Sequence, residues 1–359
     1  MGVEMLRRVI LILLTLTCLF GCATKAPQKE LLAWPSLPTE PKIAYVDSYH
    51  GSIDFFEPLF WDTIFGANET KKDDLSKPFS VSAYGDRIYV SDTGFGYVAV
   101  IDTKARKVSF LGTSGRVILR QPFGVAAAAD GTIFVSDGKL KSIYAFDQQG
   151  APLSAFGNAD QFMKPAGLAV NSGLGRLYVC DVAANAVIAF SLKGERLFEF
   201  KKGAEPGMGN LNSPTHIAID RRNGNVIVAD TNNFKVQVFD KDGFYLRAFG
   251  QLGDNPGDFS RPKGIAVDSE GHVYVADAAF NNFQVFDDQG KLLLVIGSLG
   301  RGAGQFQLPA GMYADEQDRI YVADTANRRI EVFQYMSDAW KLAHPEEFNK
   351  YLFPGTAPK

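Results

Sequence analysis

Between residues 77 and 334 the apolar positions fall into short runs of five or six, each closed by a turn residue. The runs recur in groups of four. Each group opens on a proline, at Pro78, Pro122, Pro165, Pro214, Pro262 and Pro309. Two residues later stands Ser80, Gly124, Gly167, His216, Gly264 or Gly311, at the head of the first run. After a turn, a second run ends in Asp92, Asp137, Asp181, Asp230, Asp277 or Asp324. Ten residues beyond each Asp a third run ends, and a fourth closes near Phe-Gly, as at Phe156-Gly157 and Phe249-Gly250. Val, Ile, Tyr and Phe fill the runs while Gly, Asp and Asn bound them, which is strand chemistry at ordinary strand length. From Asp92 to Asp324 is 232 residues in five steps, or 46.4 per step. Four strands in such a period predict an all-β, six-bladed β-propeller of four-stranded blades. A helical solenoid is excluded because no window sustains a 3.6-residue period, and the rungs of a parallel β-helix are much shorter.

The sixth group has no fourth run after Phe333. Lys42 to Tyr49 (KIAYVDSY) resembles the fourth strands, for example Tyr245 to Phe249. Residues 42–50 are therefore expected to close the ring by pairing into blade six, which leaves no exposed edge there. The alternative is a seventh blade, since Asp47 lies 45 residues before Asp92; but no Pro-x-Gly precedes it and Pro58 interrupts it. Residues 51–76 read as a connection with a short amphipathic helix over Asp54 to Phe65. Residues 335–359 read as a helical tail, with Ser337 as a cap and Pro345-Glu346-Glu347 as a second start.

The quoted runs carry a family resemblance. Pro-x-Gly-Ile-Ala-Val-Asp from Pro262, then Val-Tyr-Val-Ala-Asp to Asp277, then Val-Phe-Asp to Asp287, resembles the NHL repeat. Thr215 to Asp240 resembles it equally, with Thr231-Asn232-Asn233 and Lys235 in the turn. The resemblance covers about 77–334 and implies NHL-type blades. It implies little about function, because one fold hosts many functions.

The first 21 residues carry an address. Arg7 and Arg8 precede Val9 to Phe20, an uncharged run of 12. A bilayer-spanning helix needs about 20 apolar residues, so the run fits the core of a secretory signal. It ends in Leu19-Phe20-Gly21-Cys22, which resembles the lipobox of bacterial lipoproteins. The resemblance implies cleavage before Cys22 and its acylation. The expected product is an exported, lipid-anchored protein of the cell envelope, at the outer membrane or periplasmic face in a Gram-negative cell, with 22–41 as a Pro-rich tether.

Composition narrows the chemistry. There are 37 Lys and Arg against 40 Asp and Glu, a net charge of −3, so no global field recruits nucleic acid. Three Cys exclude a disulfide scaffold, and four His leave little for a histidine-built metal site. In an up-and-down blade the end of the second strand and the start of the first share one face. The six Asp (92, 137, 181, 230, 277, 324) should ring one channel mouth. A carboxylate collar for a cation is one reading; turn-capping in every blade is the other, and its repetition favours it. His216 takes a glycine's place in one blade only, either as a ligand contact or as a channel filler. Lys235, Lys263, Arg301, Arg328 and Arg329 are expected around the same mouth, making it the candidate binding site. No catalytic constellation, metal site or cofactor motif is assigned: Cys180 aligns with small residues and no Gly-x-Ser-x-Gly occurs. The expectation is a non-catalytic binding or scaffold module for a protein, peptide or envelope glycan. The alternative is a metal-dependent hydrolase or lyase, of the lactonase or peptidyl-glycine-lyase sort, at that mouth.

Overall fold

The computed structural model describes residues 31–55, 75–200, 203 and 207–353. Six antiparallel sheets stand around one axis. Blade one spans Pro78–Leu111, blade two Pro122–Phe156, blade three Pro165–Glu199, blade four Pro214–Phe249 and blade five Pro262–Ile296. Blade six begins with Pro309–Ala314, Arg319–Asp324 and Arg329–Tyr335. Its fourth strand is Ile43–Tyr49, paired antiparallel from Ile43 opposite Tyr335 to Tyr49 opposite Ile330. The ring therefore has six blades, closed by the N-terminal strand. A fifth strand, Ala33–Trp34, adds to it where the sequence reading placed only a tether. The reason is local: Trp34 packs on Phe333 with ring centroids 5.9 Å apart.

Residues Ser52–Phe55 form a single 3-10 turn; the rest of the expected amphipathic helix lies outside the described residues, as do Cys22 and the leader. The tail forms helices Asp338–Ala343 and Pro345–Leu352, and the Ser337 side chain accepts from the Trp340 amide at the first. Neither buries a residue. No helix among the described residues is long and apolar enough to cross a membrane.

There is no single core. Six apolar clusters occupy the six gaps between neighbouring blades, such as Phe283, Phe306, Ile320 and Phe333 between blades five and six. Each blade is buried on both faces, so its strands read as continuous apolar runs. Cys180 lies fully buried between blades three and four, where burial pushes its thiol well up.

The Pro-x-Gly signature has a steric cause. At the channel the inner strands converge until backbones nearly touch. A Cβ on Gly264 would stand 1.9 Å from the Ala310 carbonyl oxygen, and one on Gly124 would stand 2.2 Å from that of Ala166. Neither neighbour is a flexible side chain that could give way. Gly264→Ala should lose roughly 1–3 kcal/mol of unfolding free energy, as overpacked cores do. Gly173, whose Cβ would meet nothing nearer than 3.6 Å, is the control; its Ala variant should stay within about 0.5 kcal/mol. Urea titration of both variants checks this.

Candidate functional site

The six Asp do ring one face, called here the clamp face, and each is wholly buried. They are occupied by the backbone. Asp277 accepts from the amides of Ser260 and Arg261 at 2.7 and 3.0 Å, and from Ala279 and Phe280 at 2.9 and 3.2 Å. Asp92 and Asp137 do the same with their own loops. Each carboxylate thus ties the loop leading into strand one to the turn after strand two. It is a clamp, and no free collar of oxygens faces the channel.

His216 lies across the channel axis. Its ring centroid is 5.0 Å from that of Phe79 on the opposing blade one, at an interplanar angle of 30°. Phe79 packs in turn on Phe123 at 5.1 Å. The ammonium of Lys263 sits 5.5 Å over Phe79, and that of Lys164 5.1 Å over Phe123, in cation–π geometry. The channel is stoppered at this end. His216 is 3% exposed, and neither ring nitrogen has a well-formed hydrogen bond or contact with solvent. Burial, with Lys263 beside it, holds its pKa down to about 3, although the carbonyls of Phe79 and Lys263 pull the other way. The imidazole is neutral. It is the floor of a cavity and presents no nitrogen to it.

From that floor a cavity of about 660 Å³ runs to the opposite face, the turn face, where strands one and two meet. Its wall is about equally apolar and polar: Val81, Val125, Leu168, Ile217, Ile265 and Met312 share it with Ser80, Ser82 and Tyr313 and, toward the mouth, with Asn171, Asp315 and Gln317. Burial pushes the Tyr313 phenol up to about 12, so it remains a neutral donor. At the mouth, Arg221 reaches from blade four past blade five to blade six. It donates to the Ala314 and Asp315 carbonyls at 3.3 and 2.8 Å, 3.9 Å from the Asp318 carboxylate. The expected site and the cavity are therefore at opposite ends of the channel. Inner-strand spacing gives no sign of which end is stoppered; the pair of arginines in the turn Asp220-Arg221-Arg222-Asn223 is the signal that marks the open mouth.

The expected basic rim is only partly assembled. Arg301 and Arg328 are exposed on clamp-face loops, and Lys235 is half-buried at the start of a third strand. Lys263 is half-buried over Phe79, and its pKa is lowered by burial and by Arg261 and Lys164. Arg329 is not at the rim. It is buried, paired with Asp324 at 3.0 Å and Glu331 at 2.7 Å, and it donates to the carbonyls of Arg301, Gly302 and Gln305. It holds a loop from inside. Among the described residues no cluster of three or more His, Cys, Asp or Glu is placed to hold a metal ion. His272, on the turn face, is tied to Asp268 at 2.8 Å, which raises its pKa.

Segments 211–239, 259–286 and 306–333 match the NHL repeat. Blades four, five and six of the propeller carry NHL repeats. The mouse peptidyl-glycine alpha-amidating monooxygenase (Mus musculus) is 26% identical over 158 residues, which is 40% of this chain and 16% of that protein. The chain thus spans a small part of the length of that curated relative. A Bacteroides thetaiotaomicron protein of unknown function superposes with a TM-score of 0.60 at 16% identity, covering 74% of this chain and 70% of that one. An auxiliary nutrient binding protein from the same organism superposes at 0.57 with 15% identity, covering 74% and 71%. At these identities the structural likeness is one of fold.

One buried group here makes stability depend on pH. Glu331 occupies the third-strand position that blades four and five fill with Gln237 and Gln284. Burial pushes its carboxyl up to about 8, against the pull of Arg329. A raised carboxyl pKa favours the protonated folded state, so its contribution is lost as pH rises from about 4.5 to about 8. Glu331→Gln should flatten that decline and gain on the order of 1 kcal/mol at pH 8. Thermal melts of both proteins across this range check the expectation.

Proposed function

We propose that the protein is an exported, lipid-anchored binding module that takes a short, largely uncharged peptide or glycan segment into its blind channel from the turn face. The observation that carries this reading is the cavity itself. It is deep, closed at one end, and pairs an apolar wall with an equal share of polar groups, among them the hydroxyls of Ser80, Ser82 and Tyr313 and the Arg221 guanidinium, a mixture that suits a small ligand with both apolar and hydrogen-bonding parts. The lipobox-like Leu19–Cys22 supports the anchoring, with acylation at Cys22 holding the protein to the envelope membrane.

The metal-dependent hydrolase or lyase reading has less to stand on. The clamp aspartates are consumed by backbone amides and, at Asp230 and Asp324, also by the side chains of Asn233, Gln237, Asn327 and Arg329; His216 offers no accessible nitrogen, and His272 is bound to Asp268. A binding role needs none of these groups.

The test is thermal stability against a panel of defined short peptides and cell-wall glycan oligomers. A ligand at a hundred times its Kd should stabilise by about 2.7 kcal/mol. Ile217→Trp, which fills the channel wall, should abolish the shift, and Arg221→Ala should weaken it. If no member of either class shifts the parent protein more than the filled variant, the channel is not the binding site.

A further inference from the structure

The clamp face carries a second chemistry, separate from the channel. Described loops that link one blade to the next on this face carry exposed large apolar side chains. Ile118, Met163, Leu252, Leu299 and Leu308 are 49%, 59%, 64%, 65% and 46% exposed, and Phe95, on a turn of blade one, is 53% exposed. Between these tips stand cations. Arg116, Arg120, Lys164, Arg261, Arg301 and Arg328 are exposed, and none has an ion-pair partner among the described residues. On the turn face and flanks the pattern differs: Arg87, Arg176, Arg196, Arg222 and Arg319 each pair with a carboxylate. Among the described residues of the clamp-face loops, Asp54, Asp160, Asp254 and the buried Asp258 oppose the cations, and Asp54 is taken up by the His50 and Gly51 amides. Exposed, unpaired cations therefore outnumber carboxylates on the described loops of this face.

We propose that the clamp face docks on an anionic phospholipid bilayer. The tips sit singly on separate loops around a ring, with polar residues between them. A protein partner would require a packed, contiguous apolar centre, which scattered tips do not form. A bilayer accepts separated tips one by one, and anionic headgroups meet the unpaired cations. A nucleic acid or glycan would use the charges but gain nothing from exposed leucines. The strand Ala33–Trp34 runs antiparallel to Ile43–Tyr49, which ends on the clamp face, so the chain enters the propeller from that same side. A lipid at Cys22 and this face would then act as two membrane signals, which is what firm anchoring takes.

The experiment is vesicle co-sedimentation. It uses the chain without its first 21 residues and with Cys22→Ser, which keeps the whole compact unit Leu32–Lys359 and removes the acyl group. The probes are phosphatidylglycerol–phosphatidylcholine vesicles and phosphatidylcholine vesicles. Binding to the first should exceed binding to the second and should fall with added salt. Leu252→Ser with Leu299→Ser should weaken it at least tenfold, since each exposed leucine contributes transfer free energy only when inserted. Arg261→Glu with Arg301→Glu should weaken it comparably. All four sites are exposed, so both double variants should melt with the parent, which separates lost docking from lost folding. Equal binding to both vesicle types, no binding, or binding that neither double variant alters would overturn the proposal. None of these outcomes bears on the channel, because Ile217→Trp leaves the clamp face intact.

Discussion

The architecture depends on how closely six inner strands approach one axis. At the narrow level of the channel, neighbouring backbones come so near that a single methyl group on Gly264 or Gly124 would strike a carbonyl oxygen. Four of the six blades meet that crowding with glycine. Blade one answers the same crowding differently. There Ser80 donates its amide to the Ser91 hydroxyl, which donates to the Phe123 carbonyl of the next blade. Ser136 repeats the link from blade two to Ala166 of blade three. Blade four departs furthest, with the His216 ring lying across the lumen. One position, varied in one blade, turns an open tunnel into a blind pocket.

That stopper divides the molecule into two chemically distinct ends. On the clamp face, buried aspartates organise the loops by accepting backbone amides. Because these carboxylates are saturated and enclosed, they do not neutralise the lysines and arginines on the same loops. The described loops there carry more exposed cations than carboxylates, although the chain is slightly acidic overall. On the turn face the carboxylates are used otherwise. Asp315 is held by Arg319 and Tyr321, Asp268 by His272 and Tyr274, and Ser269 binds Asp318. These networks leave Arg221 as the cation that borders the cavity mouth.

Blade six is built differently from the other five because two distant parts of the chain must meet in it. Its loop from blade five is held from inside by Arg329 between Asp324 and Glu331, where blade four uses Gln237 and blade five uses Gln284 as neutral bridges. Trp34 lies against Gly304 of that loop, so the added N-terminal strand covers the buried ion triad. Burying these charges is costly unless each is compensated, and the elevated Glu331 carboxyl shows that the compensation is incomplete.

The repeat could be read from the chain alone, because local chemistry sets it. Strand-length apolar runs, the fixed spacing behind each Asp and the missing fourth run after Phe333 specify four strands per blade, six blades and a closing strand from the N-terminus. The backbone-clamping role of the aspartates was also legible, since a side chain present in every blade serves what every blade has. Tertiary structure decided what depends on how far a side chain reaches. Arg329, expected at the rim beside Arg328, turns inward, where Asp324 at the end of the preceding strand and Glu331, two residues along its own strand, stand within 3.0 and 2.7 Å of it. His216, expected as a ligand contact or a filler, became the floor of the pocket because Phe79 meets it from the opposite side of the ring. Sequence spacing assigns a residue to a level and a face. Whether that level is blocked, and from which end the remaining space opens, is set by side chains converging from blades far apart in the chain.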